Sequence, residues 1–341
     1  MSASELHPWA RLRDSQLLEW RICDLGLRLA GTPVAALLEE LRGELAARGL
    51  RFRPYAWLST DWFTPDHLTG FAVPFYLAHP RLVRLERAQM LEVEGGTREE
   101  CLKILRHETA HALDNAFGLR RRKAWREAFG AAGRQYDSSY TPDPTSREHV
   151  LNLAYWYSQS HPLEDWAETF AVWLRPGSKW RTRYRDWPAL RKLEAVDTLM
   201  RSLHDRAPRR RTRAHEEPLR EVRMTLREYY ARKRAVYSDE ASPALDGQLQ
   251  RVFVTGERGT GRPKAASFLR KHRPALVRSV AEATGQHSYL LDHVVREMIA
   301  RCKTKDLRLV ASSNETRVSA AILLTSLSSQ FLYGAHPNYH R

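Results

Sequence analysis

The stretch Arg106-His-Glu-Thr-Ala-His-Ala-Leu-Asp114 constrains this chain most, because it sets two histidines four residues apart inside a segment that reads as helix. Thr97-Arg-Glu-Glu100 has the form of a capping box, Leu102, Leu105, Ala112, Leu113 and Ala116 recur at helical spacing, and Gly118 supplies a stop. Residues at i and i+4 project from one face, so His107 and His111 can direct ring nitrogens at a single point, with Glu108 beside it. Two imidazoles so placed are two of the ligands a zinc ion needs, and a neighbouring carboxylate can serve as base for a water it activates.

A third ligand is required. A histidine six residues past the second, after a glycine, would supply it in one group of zinc enzymes, but Asp114 and Phe117 stand at those positions and exclude that arrangement. A second helix is expected near Ser160-His-Pro162, with serine as cap and proline in the first turn, running through LEDWAETFAVWL to Arg175-Pro176-Gly177. It carries Glu164 and Glu168 at i and i+4 on one face of an otherwise apolar helix, where a carboxylate pair is costly to bury without metal or hydrogen bonds.

Around these helices the texture of the chain changes twice. Leucines at helical spacing over residues 15–48, broken at Gly31-Thr32-Pro33 and stopped at Gly49, predict two amphipathic helices. From Phe52 to Val93, short aromatic and β-branched runs (FRPYAWL, GFAVPFYLA, RLVRLE, MLEVE) predict strands of a small sheet, and either GFAVPFYLA or RLVRLERAQ could offer an edge to an extended peptide. Beyond about Leu203 the segment RAPRRRTRAHEEPLR reads as a basic linker or arm. After it, helical periodicity returns around Ala265 to Cys302 and Val318 to Tyr333 without a catalytic motif. The expected organisation is an N-terminal helical segment (1–50), a core (51–205), a basic arm (206–240) and a mostly helical C-terminal region (241–341).

Basic residues outnumber acidic ones by 55 to 40, for a formal charge of +15, so anionic partners, nucleic acid among them, are compatible with the surface. Three scattered cysteines without a CxxC pair predict neither a disulfide framework nor a cysteine zinc knuckle. The absence of a long apolar run predicts a cytoplasmic protein with no membrane partner. His79, His161 and His336 each precede proline and read as loop or capping residues.

HETAHALD followed by Tyr157-Ser-Gln-Ser-His-Pro-Leu-Glu-Asp-Trp-Ala-Glu-Thr-Phe-Ala171 resembles a family of zinc-binding metallopeptidases of bacteria and, more distantly, the lethal-factor-like gluzincin peptidases. The likeness spans roughly residues 51–200. It implies an α+β zincin-like metallopeptidase core, a small sheet with the HExxH helix and a glutamate-ligand helix, acting on a peptide or protein substrate. It further implies Zn2+ held by His107, His111 and Glu164, Glu108 as general base, and Glu168 orienting a ligand histidine, a role Asp114 could share. Tyr157, seven residues before the glutamate ligand, matches a tyrosine that faces the zinc, with Tyr155 as a rival. The cysteine-rich ribbon that many members carry ahead of this core has no counterpart here.

Overall fold

The computed structural model describes residues 7–136, 140, 143, 145–235 and 244–334. The fold is α+β and mostly helical. Contacts divide the chain into two compact units, one formed by residues up to 89 and 93–229, the other by residues 90–92 and 230 onward.

In the first unit a short α1 (Asp14–Leu17) is followed by α2 (Pro33–Ala47), which starts at Thr32, whose side chain accepts from the Ala35 N–H. Only the second of the two N-terminal helices expected thus forms at length; residues 22–25 make a single 3-10 turn. Two strands, β1 (Tyr55–Ser59) and β2 (Gly70–Pro74), pair in parallel from Tyr55↔Gly70 to Ser59↔Pro74. Their connection passes along the other edge of β2, where Phe63 bridges Ala72 in antiparallel sense. Gly70 is required by this pairing, since a Cβ there would lie 2.4 Å from the Tyr55 carbonyl oxygen.

The RLVRLE segment is a helix, α3 (Pro80–Met90), not a strand, and so offers no edge to a peptide. Six residues are too few to fix a period, but the residues it buries, Arg81, Leu82, Leu85, Glu86 and Met90, follow the helical one. Pro80 opens it, and His79 Nδ1 accepts the Arg81 N–H at 3.0 Å, the capping role expected of that histidine. MLEVE likewise forms no strand.

Helix α4 (Arg98–Phe117) begins at Thr97, whose hydroxyl accepts from the Glu100 N–H at 3.2 Å, and ends at Gly118 in the left-handed region (φ 64°). It is buried nearly all round. Against one side lies α2, joined by a buried bidentate pair from Arg106 to Glu44 at 2.8 and 2.6 Å. β2 packs on another side, and on a third α6 (Pro162–Leu174), which follows α5 (Lys123–Phe129). The start of α6 is capped by His161, not Ser160: its Nδ1 accepts the Leu163 N–H at 3.2 Å. Trp166, fully buried, donates its indole N–H to the Ala110 carbonyl at 3.1 Å and thereby ties the middle of α6 to the middle of α4. The short α7 (Trp180–Arg183) leads to α8 (Ala189–Arg201), which packs on α5 and α6.

The basic stretch after residue 205 is held along the first unit. Tyr55, Trp57 and Ser59, alternate residues on one face of β1, donate to the carbonyls of Ala214, Glu216 and Glu217 at 2.7 to 2.8 Å. Thr212 is bonded reciprocally to Thr69. α9 (Leu226–Ala235) follows.

The second unit contains α10 (Ala244–Leu249), then β3 (Phe253–Thr255) paired antiparallel with β4 (Leu307–Leu309), around the hairpin of α11 (Ala265–Thr284) and α12 (Ser288–Thr304), with α13 (Ser313–Gly334) against both helices. No described helix is long and apolar enough to cross a membrane.

Truncating Trp166 should loosen the α4–α6 pair. Trp166→Ala is expected to cost about 3–5 kcal/mol and Trp166→Phe, which loses the indole bond and part of the ring volume, about 1–3 kcal/mol, read from denaturant unfolding midpoints at constant slope.

Candidate metal centre

The α4–α6 interface would be ordinary apolar packing were it not for four ionisable side chains within it. His107, Glu108, Glu164 and Glu168 are each at most 3% exposed. Helical spacing turns His107 and His111 to the same side of α4, and their Nε2 atoms lie 3.2 Å apart. From the first turn of α6, Glu164 directs Oε2 to within 3.0 Å of His107 Nε2 and 3.4 Å of His111 Nε2. These three residues form a group able to hold a metal ion.

The triangle has the right size. A tetrahedral zinc with bonds of about 2.0–2.1 Å needs donor atoms about 3.3–3.4 Å apart, and the three separations are 3.0, 3.2 and 3.4 Å. Glu164 Oε2 is buried and faces both imidazole nitrogens, an acceptor aimed at the point between the rings. The donor chemistry, two imidazoles and a carboxylate, suits zinc with a fourth position open.

Electrostatics favour positive charge at this point. Burial alone would push the His107 imidazole down, yet hydrogen bonds and charges from Glu164 and Glu168 outweigh it and hold His107 well above its usual range. Burial likewise opposes ionisation of Glu164, but the histidines overcome it and hold that carboxyl well below the usual range.

Glu168, one turn along α6, takes His107 Nδ1 at 2.8 Å. Its own oxygens accept from Asn152 Nδ2 at 2.9 Å and the Leu153 N–H at 2.8 Å. This chain of bonds fixes the ring's orientation and leaves Nε2 free to face the third ligand. Asp114 does not share that role. Both its oxygens accept from Arg120, the backbone N–H at 2.7 Å and the guanidinium Nε, which holds the Arg120 side chain just past the end of α4.

Glu108 has its Oε2 bonded by the Thr64 hydroxyl at 2.7 Å. Thr64 lies on the connection between the strands, next to the bridging Phe63, so the sheet itself positions this carboxylate. Tyr157 lies in a 3-10 segment, Ala154–Gln159, directly after Trp156, whose φ of 51° is a strained value for a non-glycine residue. Its ring is 5.7 Å from that of His107. Burial first, then the charges of Glu164 and Glu108, push its hydroxyl well above the usual range, so it stays protonated and able to donate. The side chain of Tyr155, the rival tyrosine, lies outside the described residues, as does His336.

The structure also adds a residue that the motifs do not contain. Tyr136 donates its hydroxyl to Glu164 Oε1 at 2.6 Å. It sits in a non-helical stretch without periodicity, 28 residues ahead of its partner, and only tertiary structure brings it to the site. Thr64, Asn152 and Leu153 escape sequence reasoning for the same reason.

Residues 86–184 match the model of a family described as "Putative zinc-binding metallo-peptidase". The matched span holds both motif helices and every candidate ligand. No curated protein and no solved structure matches the chain.

Elemental analysis of the purified protein should find about one zinc per chain, lost in His107→Ala and in Glu164→Ala. Glu168→Ala should still bind zinc, about 10–100-fold more weakly.

Proposed function

We propose that the chain is a zinc-dependent peptidase of gluzincin type with a zincin-like core, in which His107, His111 and Glu164 hold the ion. The observation that carries this reading is the triangle of ligand atoms, with a buried carboxylate oxygen turned to both rings, set beside a buried glutamate that is no part of it. When bound, zinc would supply Lewis acidity, polarising a peptide carbonyl and making water acidic enough to react near neutral pH.

The remaining work falls to this chain's side chains. Glu108, aligned by Thr64, takes the proton from the attacking water and passes it to the leaving amine. Tyr157, kept protonated by its surroundings, donates to the carbonyl oxygen as negative charge grows there. Glu168 holds the His107 ring in one tautomer throughout. Glu108→Gln should retain zinc and lose about 100-fold or more of turnover on a cleaved peptide; a variant with full turnover would refute this role.

A second reading, a basic nucleic-acid-associated protein whose zinc site is structural or vestigial, is favoured by one arrangement. Arg209 and Arg210 N–H groups both donate to the Ala116 carbonyl near the end of α4, at 3.0 and 3.1 Å. This brings the basic stretch beside Arg120-Arg-Arg-Lys123, the basic run that follows α4: burial, then the charges of Arg209 and Arg206, lower the Arg122 guanidinium from its usual value. Arg120 is paired with Asp114 and Asp66, but Arg122, Arg206 and Arg209 have no carboxylate partner among the described residues, and such guanidinium groups suit phosphate oxygens. If this surface grips nucleic acid, replacing Arg122, Arg206 and Arg209 by glutamine should reduce the slope of log affinity against log salt by about 0.9 per contact removed on duplex DNA. Titrations of a labelled duplex at several salt concentrations measure it. An unchanged slope would remove the reading.

A further inference from the structure

Glu164 has two oxygens, and the structure gives them different partners. Oε2 faces the histidine nitrogens, whereas Oε1 accepts the Tyr136 hydroxyl at 2.6 Å. Tyr136 is 39% exposed, so its hydroxyl could stay in water; instead it reaches inward to a carboxylate that is 3% exposed. Something must hold it there.

His161 does so. Its Nδ1 accepts the Leu163 N–H at 3.2 Å, which leaves the proton on Nε2 to donate to the Arg134 carbonyl at 2.8 Å. The ring is thereby pinned to the first turn of α6 on one side and to the stretch preceding Tyr136 on the other. The Tyr136 ring stacks on this platform at 3.8 Å and 18°. The histidine that caps the helix of Glu164 therefore also fixes the tyrosine that bonds Glu164, and the carboxylate and its hydroxyl partner keep one register.

A carboxylate can bind a metal through one oxygen or both, and the choice decides how many positions are left for water and substrate. We propose that Tyr136 is a positioning residue of the metal centre, whose hydrogen bond confines Glu164 to a single ligating oxygen and so preserves an open coordination position. This rests on the zinc reading above and goes beyond it, because neither the motif nor the ligand set includes Tyr136. A purely structural role would instead show as lost stability with the metal's coordination unaltered.

The test compares wild type, Tyr136→Phe and His107→Ala by three readouts: zinc affinity by chelator competition, the visible absorption of the cobalt(II)-substituted protein, and the melting temperature of the metal-free protein. Tyr136→Phe is expected to weaken zinc binding by about 10–100-fold, to weaken the cobalt absorption as coordination number rises, and to lower metal-free melting by only about 2–4 °C, as the loss of one hydrogen bond would. If wild type and Tyr136→Phe share one affinity and one cobalt spectrum while His107→Ala binds nothing, the positioning role is refuted and the zinc site stands. An affinity loss with an unchanged cobalt spectrum would also refute it, reducing Tyr136 to a structural contact. If wild type takes up neither metal, the zinc reading fails and the role of Tyr136 fails with it.

Discussion

Carboxylates buried between apolar helices must be met by positive charge and hydrogen-bond donors, and the arrangement of α4 and α6 follows from that requirement. An isolated charge in such a place is prohibitive, while a closed set of opposite charges and hydrogen bonds is tolerated. His107 satisfies it by taking a carboxylate at each ring nitrogen, one from each of two successive turns of α6. That pairing allows one rotation and one axial position of α6 relative to α4. The indole of Trp166, bonded to the Ala110 carbonyl, secures the same register from the apolar side. On the opposite flank the Arg106–Glu44 pair ties α4 to α2 one residue before His107. Charge compensation and packing thus specify the same arrangement, as expected of a sequence whose local and global preferences agree.

Much of this was legible in the sequence because it depends on local periodicity. The Thr97 cap, the Gly118 stop, the common face of His107 and His111, and the run of α6 to Arg175 all follow from spacing and terminal chemistry. The cap of α6 was placed one residue early, since serine is the commoner capping residue and a histidine side chain can accept the same N–H. The RLVRLE helix was misread because six residues do not separate a period of 2 from one of 3.6, and the aromatic residues ahead of it suggested a longer sheet than the two strands that form.

Other parts were hidden for a different reason. Thr64, Tyr136 and Asn152 reach the site from loops, where nothing in the chain's periodicity marks them, and Asp114 was assigned to a histidine although Arg120, six residues away, competes for it. The arginine-rich stretch after residue 205 reads as a solvated arm by composition. Its attachment depends on β1 side chains more than 150 residues earlier in the chain, which donate to its backbone carbonyls rather than to its charges. Composition describes the side chains of such a segment and is silent about its backbone.

The two histidines lie one helical turn apart, but the third ligand comes from another helix, and 61 residues separate His107 from the Glu168 that orients it. An unfolded chain could offer a metal only the histidine pair, so the complete triad exists only after α6 has docked. Under the proposed function a metal would therefore bind the folded state selectively and stabilise it by mass action, by about 2.7 kcal/mol when free metal is 100-fold above its dissociation constant. The lifetime of the folded protein would then depend on how much free metal surrounds it, and metal starvation would reach the chain first as susceptibility to unfolding and degradation.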